Sequence, residues 1–381
     1  MTPPPGSPRR PQVRLLATQL AAPVPGGTGR YTEQLWAALV AGRPADAELT
    51  AWWPTRRPPP SLTDPSGGAT GLVVTPRVPV PYRALARLWE IGSPPYPAAD
   101  GVVHAPTVLV PPRRRSRCVV TVHDVVPWTH PETLTPRGVR FHHRMGARIA
   151  AAADLVVTPT EAVAEQVRRL LTPRAPVVSV HSGVTPLVPP ADAAARRLRL
   201  GVTGDYVLFV GTAEPRKGLD VLVEAMAAPD LLSLSLVVAG PAGWADVDVA
   251  DLAARAGVRS RAVVTGRLSD ADLAAVYAGA TVLAMPSRAE GFGFPVLEAM
   301  GHAVPVVTSD DPALVEVGGG AAAIVPVGDA RALAEGLAAA ALDPRRRAEL
   351  SNAGPARAAQ FSWAKTAAAM WSLYAEVADR G

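Results

Sequence analysis

Short apolar, β-branched runs alternate with longer alanine-rich stretches along nearly the whole chain, and this alternation constrains the fold more than any other feature. Such runs separated by helical patterns build βα units around parallel sheets, because a crossover helix must return the chain to start each new parallel strand. In the first half the runs are VRLLATQ, LTAWW, GLVVT, GVVHA, VVTVHD, DLVVTPT and VVSVHSG. After TPLVPPADAAARRLRLGVTGD the series restarts with YVLFVG, LSLVVAG, AVVTG, TVLAMPS, VPVVTS and AAAIVP. The restart predicts an α/β protein of two doubly wound, Rossmann-like domains joined near residues 185–200. At 381 residues the chain exceeds the size at which a single hydrophobic core usually stops growing, which agrees with two domains.

The expected boundaries are a disordered tail over residues 1–12, a first domain over 13–190, a second over 191–362 and a terminal segment over 363–381. That segment, FSWAKTAAAMWSLYAEVADRG, reads as an amphipathic helix with Trp363, Met370, Trp371 and Tyr374 available to pack on a domain surface. The prolines at 54–60 and the glycines at 67–71 mark a variable loop with no legible chemistry.

The apolar stretches are repeatedly cut by Arg, Asp, Gly and Pro, so no transmembrane helix is expected. The start, MTPPPGSPRRPQ, lacks the roughly 7–15-residue apolar core of a secretory signal, and a cytoplasmic location is the expectation. A single cysteine, Cys118, excludes an intrachain disulfide and a cysteine-based zinc cluster; its apolar neighbours make it a core residue. The net charge of +5 is carried by arginine, since Lys217 and Lys365 are the only lysines. PPRRRSRC and RGVRFHHRMGAR could meet anionic lipid or phosphate at a membrane surface, or simply form a solvated helix face or loop. A nucleic-acid partner is not expected.

In open parallel sheets, ligands bind beyond the carboxyl ends of the strands, which selects the polar residues worth weighing. In SRAEGFGFPVLEAM, TVLAMPS supplies the preceding strand, Pro286 to Phe294 a connecting loop and Pro295 the first helical position, with Glu298 about one turn inside. Free backbone N–H groups around Gly293, Phe294, Val296 and Leu297 suit a phosphate, and Gly291 and Gly293 let the backbone approach a ligand. Separately, Glu298 could be a carboxylate complementing the helix dipole and Glu290 a surface loop residue. Their joint occurrence around a glycine-rich strand-to-helix turn favours a ligand site, with Glu290 at the loop entrance.

The stretch VLFVGTAEPRKGLDVLVEAM ends a strand at Gly211 and starts a helix near Leu219, with Thr212, Glu214, Arg216 and Lys217 on the loop between. An Arg-Lys pair suits a diphosphate, the lysine as a compact charge and the arginine as a planar fork. In APVPGGTGRYTEQLWAAL, Gly26, Gly27 and Gly29 lie between the first strand and the first helix, where a phosphate or sugar could meet the backbone. No clean G-x-G-x-x-G and no P-loop motif is present. VVTVHDVVPWTHPE ends its strand with His123 and Asp124, which could bind a sugar hydroxyl, act as acid and base, or stabilise a loop. His130, His142 and His143 have no convincing metal spacing with them, and no metal site is expected.

Taken in order, GGTGRYTEQL, VVTVHDVVP, DLVVTPTEAVAEQV, VHSGV, VGTAEPRKGLDVLVEA, GRLSDADLAAVYAGATVLAMPSRAEGFGFPVLEAM and VPVVTSD give nearly the whole chain a resemblance to the family 4 retaining glycosyltransferases. The glutamate stretch resembles the family's E-x7-E motif, and EPRKG resembles a subset containing many mannosyl- and rhamnosyltransferases. The resemblance implies a GT-B architecture of two Rossmann-like domains facing a cleft, the terminal helix crossing back to the first domain. It also implies that Arg216 and Lys217 bind the donor diphosphate, that Glu298 accepts from the ribose and that Glu290 holds the transferred sugar. Phe292, Gly293 and Phe294 would give backbone N–H contacts, and His123 would reach the sugar from the first domain. Gly26 and Gly27 would admit the diphosphate, and Gly266, Arg267 and Leu268 would lie near the base. The chain departs from the family at Gly218 and Ser182, where Asn is common, and at His302 and Ala303, where Cys-Gly is common, the last pair altering the packing behind the ribose site.

The activity implied is transfer of a sugar from a nucleoside-diphosphate sugar, with GDP-mannose as lead donor, to a hydroxyl of a glycan, lipid-linked or small-molecule acceptor. The nucleotide sugar is a co-substrate, and no further cofactor or metal is expected. A non-catalytic nucleotide-sugar-binding protein and a sugar-nucleotide epimerase of the same architecture are the competing readings. A nicotinamide enzyme shares the strand-helix rhythm but would need the absent glycine fingerprint.

Overall fold

A computed structural model of the protein describes residues 11–23, 26–63, 72–76, 79–97, 101–112, 116–243 and 248–380. The tail to residue 10, the glycines at 67–71 and the arginines at 113–115 lie outside these residues. The chain divides into two compact units, residues 1–183 with 362–381, and residues 184–361.

The first unit is built on seven strands: β1 (Gln12–Leu16), β2 (Glu48–Trp52), β3 (Leu72–Val74), β4 (Val102–Ala105), β5 (Arg117–Thr121), β6 (Leu155–Thr158) and β7 (Val177–Ser179). They pair in the order β3-β2-β1-β4-β5-β6-β7, every ladder parallel. The second unit has six: β8 (Tyr206–Val210), β9 (Ser235–Ala239), β10 (Ala262–Gly266), β11 (Val282–Met285), β12 (Val306–Ser309) and β13 (Ala323–Val325). Their order is β10-β9-β8-β11-β12-β13, again all parallel. Central strands such as β4, β6 and β11 are buried at every position, because helices cover both faces of a doubly wound sheet and leave no solvent face for alternation.

In both units the winding direction reverses once, between β1 and β4 and between β8 and β11. There the strand-end loops diverge to opposite faces and leave a crevice, the usual ligand position in such sheets. The loop after β8 carries EPRKG, and the loop after β11 and the helix it leads into carry the two glutamates.

The last helix, Trp363–Asp379, belongs to the first unit, starting from a Ser362 side chain that accepts from the Lys365 N–H. Met370, Trp371 and Tyr374 are buried against Leu35, Trp36 and Leu39 of the helix Gly26–Ala41. Beneath them the Tyr374 hydroxyl lies 2.6 Å from His104 Nδ1, and His104 Nε2 lies 2.8 Å from Thr121 Oγ1. Burial pushes the His104 imidazole down to about 3, so it stays neutral and stitches the helix to β4 and β5.

Two local expectations meet the structure here. The helix Gly26–Ala41 begins at Gly26, so Gly26, Gly27 and Gly29 form its first turn and are not a loop before it. Cys118 is buried, as its apolar neighbours required.

Candidate functional site

The loops after β8 and β11 are fastened to each other. Pro215–Lys217 forms a single 3₁₀ turn, with proline at a position whose N–H would be unused. The Arg216 carbonyl accepts from the Arg288 N–H at 2.7 Å, while the Arg288 guanidinium reaches the Pro215 carbonyl at 2.7 Å. The same guanidinium grips Asp220 through two hydrogen bonds of 2.9 and 2.6 Å. Gly218 closes the turn with φ +69°, and a Cβ there would collide with the Pro286 carbonyl oxygen. Glycine at this position therefore lets the two loops touch.

This fastening gathers the charges. Lys217 Nζ donates to Glu290 Oε1 at 2.5 Å and Arg216 Nη1 to Glu290 Oε2 at 3.2 Å, while Arg216 Nε donates to Glu214 at 2.9 Å. Ser287 Oγ is the third donor to this carboxylate, reaching Oε1 at 2.7 Å. The Glu290 side chain is 7% exposed, which argues against the alternative of a surface loop residue. Burial alone would raise its pKa, yet Lys217 and Arg216 outweigh that and hold it at about 2. Burial pulls the Lys217 ammonium down from its ordinary value, with Glu290 opposing. The two cations thus carry their own counter-ions, the carboxylates of Glu214 and Glu290.

Behind Glu290 sits Asp311, which had no signal in the sequence. One of its oxygens accepts from the Ala313 and Leu314 N–H groups, both at 3.1 Å, capping the helix Pro312–Gly318. The other lies 3.4 Å from the Glu290 backbone N–H. Burial chiefly, with the neighbouring Glu290 charge, pushes the Asp311 carboxyl up to about 6.

The helix that follows runs Phe294–Gly301, so Pro295 is its second residue and not its first. Gly293 is the preceding residue at φ +91°, and a Cβ there would press on the Leu314 side chain. Phe292 packs edge-on against Phe294 and Phe361, seating the glycine turn on the core. Leu297 is fully buried, and Glu298 is 5% exposed, with an Oε2 that accepts from the Tyr277 hydroxyl at 2.8 Å. Tyr277 comes from the helix Asp270–Gly279, and nothing in the sequence singles it out, because an alanine-rich helix hides which aromatic points at a carboxylate. His302, one helical turn beyond Glu298, stacks on the Tyr277 ring with centroids 5.6 Å apart.

Gly211 and Thr212 open the β8 loop, half-buried. Gly266, at φ +70°, Arg267 and Leu268 lie at the end of β10, the edge strand at the same carboxyl end of the sheet, with Arg267 exposed. The structure thus brings Arg216, Lys217 and Glu290 into direct contact and sets Glu298 below them in the adjoining helix.

The remaining candidates belong to the first unit. His123 follows β5, and its Nε2 lies 2.8 Å from the Pro106 carbonyl oxygen. A carbonyl only accepts, so the proton sits on Nε2 and Nδ1 carries the lone pair. Burial pushes the imidazole down, and Tyr31 meets its ring edge-on at 4.6 Å. Asp124 shapes the chain instead, its Oδ1 accepting from the Val126 N–H at 3.1 Å and fixing the next turn. A Cβ on Gly26 or Gly27 would meet nothing within 4 Å, and both residues are exposed. Among the described residues no group of three or more His, Cys, Asp or Glu is placed to hold a metal ion. No described helix is long and apolar enough to cross a membrane.

Two parallel doubly wound sheets, one carrying paired cations and a helix N-terminus at its switch point, define a two-unit α/β protein with a candidate anion-binding site. Comparison with known proteins narrows this. Residues 192–357 match the family model of glycosyl transferases group 1, and residues 25–186 match that of glycosyltransferase family 4. The O-antigen chain mannosyltransferase B of Escherichia coli is 30% identical over 273 residues, covering 69% of this chain and 71% of that protein. The D-inositol 3-phosphate glycosyltransferase of Saccharomonospora viridis is 34% identical over 248 residues, 60% of this chain and 57% of the relative's length. Among solved structures, sucrose-phosphate synthase of Thermosynechococcus elongatus superposes with TM-score 0.72 at 22% identity, covering 98% of this chain and 100% of that one. HepE of Anabaena, solved with UDP and glucose, gives TM-score 0.71 at 18% identity, covering 96% and 100%. The fold is that of the GT-B glycosyltransferases, and the chain belongs to glycosyltransferase family 4.

Proposed function

We propose that this glycosyltransferase moves a sugar from a nucleoside-diphosphate donor to an acceptor hydroxyl with retention of anomeric configuration, using Arg216, Lys217, Glu290 and Glu298 as its donor site. The observation that carries the reading is the cluster of Lys217 and Arg216 on Glu290, beside a helix N-terminus at the switch point of the second sheet. A departing diphosphate develops negative charge on its oxygens, and cations and backbone N–H groups already in place on it stabilise that charge with no reorganisation at the moment of reaction. Lys217 and Arg216 are built for this once the diphosphate replaces Glu290 as their partner. Glu290, displaced from them, is positioned to accept from sugar hydroxyls, and Glu298 from the ribose.

The reaction then needs neither a metal nor a further cofactor, because the two cations supply positive charge for the leaving diphosphate. Attack on the face from which the diphosphate leaves, through an oxocarbenium-like state, accounts for retention without a covalent role for Glu290. His123, neutral with Nδ1 as acceptor, suits a hydrogen bond from a sugar hydroxyl better than proton donation. Asp124 is a loop residue in this reading.

GDP-mannose remains the lead donor, supported by the mannosyltransferase among the relatives and by the EPRK loop. HepE, solved with UDP-glucose, makes a uridine donor the main competitor. The acceptor is a glycan, a lipid-linked glycan or a small molecule. Arg137, Arg140 and Arg144, exposed along the helix Pro136–Ala152, are where an anionic membrane surface carrying such an acceptor would be met.

The test incubates the protein with GDP-mannose, UDP-glucose and dTDP-rhamnose, with and without candidate acceptors, and follows free nucleoside diphosphate and glycosylated product by mass spectrometry and NMR. Acceptor-dependent release is expected, with a product that keeps the anomeric form of the donor. Tight binding of a nucleotide sugar with no release under any acceptor would replace the transferase by a sensor.

A further inference from the structure

We infer that Tyr277 is a positioning residue for donor binding, holding the Glu298 carboxylate in the plane that a ribose diol requires, with His302 holding Tyr277 in turn. The inference rests on the proposed ribose role of Glu298.

Glu298 and His302, the residue that caps the C-terminus of the same helix, are four positions apart, which puts their side chains on one side of it. Tyr277 meets both. Its hydroxyl donates to Glu298 Oε2 at 2.8 Å, and its ring lies nearly parallel to the imidazole of His302, 11° between planes at 5.6 Å. The tyrosine is 0% exposed and packed in the core cluster with Val296, Ala299 and Met300, so its ring sits in a close-packed setting. A carboxylate otherwise loses rotamer freedom when it binds a ligand; here one oxygen is fixed beforehand, and a preset acceptor binds more tightly than a mobile one.

A purely structural account is less economical. Burying a carboxylate costs stability unless hydrogen bonds offset it, and an apolar residue of similar volume would pack the same space without that cost. Glu298 is 5% exposed among fully buried apolar neighbours, Leu297 and Ala299. Retaining an acid there, with a phenol dedicated to one of its oxygens, makes sense for a carboxylate that must present a fixed geometry. His302 Nε2 is buried without a hydrogen-bond partner among the described residues, so its place is set by the stack with Tyr277 and not by polar bonds. The unusual His302-Ala303 pair thus acts on the ribose site through Tyr277.

The experiment titrates wild type, Tyr277→Phe and Glu298→Gln by calorimetry with GDP and UDP, then with the 2′,3′-dideoxy form of whichever binds more tightly. Wild type should prefer the ribose form by about tenfold, the scale of one hydrogen bond to a charged group. Tyr277→Phe removes a single oxygen and should cut that preference to about threefold or less, with kcat changing less than KM. An intact preference in Tyr277→Phe, alongside its loss in Glu298→Gln, overturns the inference and leaves the ribose reading standing. A preference that survives Glu298→Gln, or is absent in wild type, overturns the ribose reading itself, as does binding of neither nucleotide. A fall in melting temperature with the preference unchanged also overturns the inference, since that is what a structural role predicts. Should Tyr277→Phe fail to fold, His302→Ala gives the same readout, and an unchanged preference there contradicts the account.

Discussion

Lys217 Nζ and Glu290 Oε1 stand 2.5 Å apart across two loops that are 73 residues apart in sequence, and both side chains are largely buried. The pair makes the cations of the candidate donor site self-neutralised before any diphosphate arrives. Glu290→Gln should therefore separate binding from turnover. Free GDP or UDP should bind about two- to tenfold more tightly, because Lys217 and Arg216 no longer leave a carboxylate to meet the phosphates. Sugar transfer should fall by roughly two orders of magnitude or more, the sugar having lost its acceptor. Calorimetry on the free nucleotide beside steady-state turnover reads both. Parallel losses in the two would mean that Glu290 only maintains the loop.

The same pair bears on stability. Lys217→Met leaves Glu290 buried with Arg216 and Ser287 but without its closest partner, and should cost about 3 kcal/mol in chemical denaturation. Adding Glu290→Gln to that variant should recover most of the loss, since an uncharged pair no longer needs the compensation. Additive losses in the double variant would show that the two groups are not coupled.

Asp311 gives a pH dependence of opposite sign to that of Glu290. Its folded pKa, about 6, lies above the ordinary 3.8, so its contribution to stability is complete below about pH 4 and is lost as pH rises through 6. Glu290, held at about 2, contributes above its ordinary 4.5 and loses that contribution as pH falls through 2. Asp311→Asn keeps a capping oxygen for Ala313 and Leu314 but cannot ionise. Relative to wild type it should gain stability between pH 4 and 7, up to about 3 kcal/mol. Denaturation curves at four pH values decide; a constant difference across them would remove Asp311 as the source.

Tyr374→Phe should lower the stability of the first unit by about 1–3 kcal/mol, because the buried His104 loses its 2.6 Å partner while the ring packing is kept. Nucleotide affinity, which the proposed donor site places in the second unit, should not change. Urea denaturation followed by calorimetry tests both halves of the statement.

Much of the architecture was legible because parallel strands covered on both faces read as unbroken apolar runs, and each of the quoted runs overlaps one of β1–β13. Helix starts at glycine were less legible. Gly26 and its neighbours read as a loop, since glycine signals freedom of backbone conformation and not the conformation adopted. In the candidate site the residue types of Arg216, Lys217, Glu290 and Glu298 carried a local signal, but their mutual pairing did not. How Glu290 is buried was not legible, because its partners Arg216 and Lys217 come from the β8 loop. Asp311 and Tyr277 gave no signal at all: one lies after a different strand and the other within an alanine-rich helix, and only the folded sheet brings them to the glutamates.

If cations do the work of a metal, product formation should be unchanged by excess EDTA. Strict dependence on added magnesium in a turnover assay would contradict that part of the mechanism.

The central claim, that the loops after β8 and β11 form a nucleoside-diphosphate-sugar site, is tested most directly by calorimetric titration of Lys217→Ala and Glu298→Ala with the donor the wild type turns over. Both variants, verified as folded by circular dichroism, should bind at least about tenfold more weakly than wild type. Wild-type affinity in both would contradict the assignment.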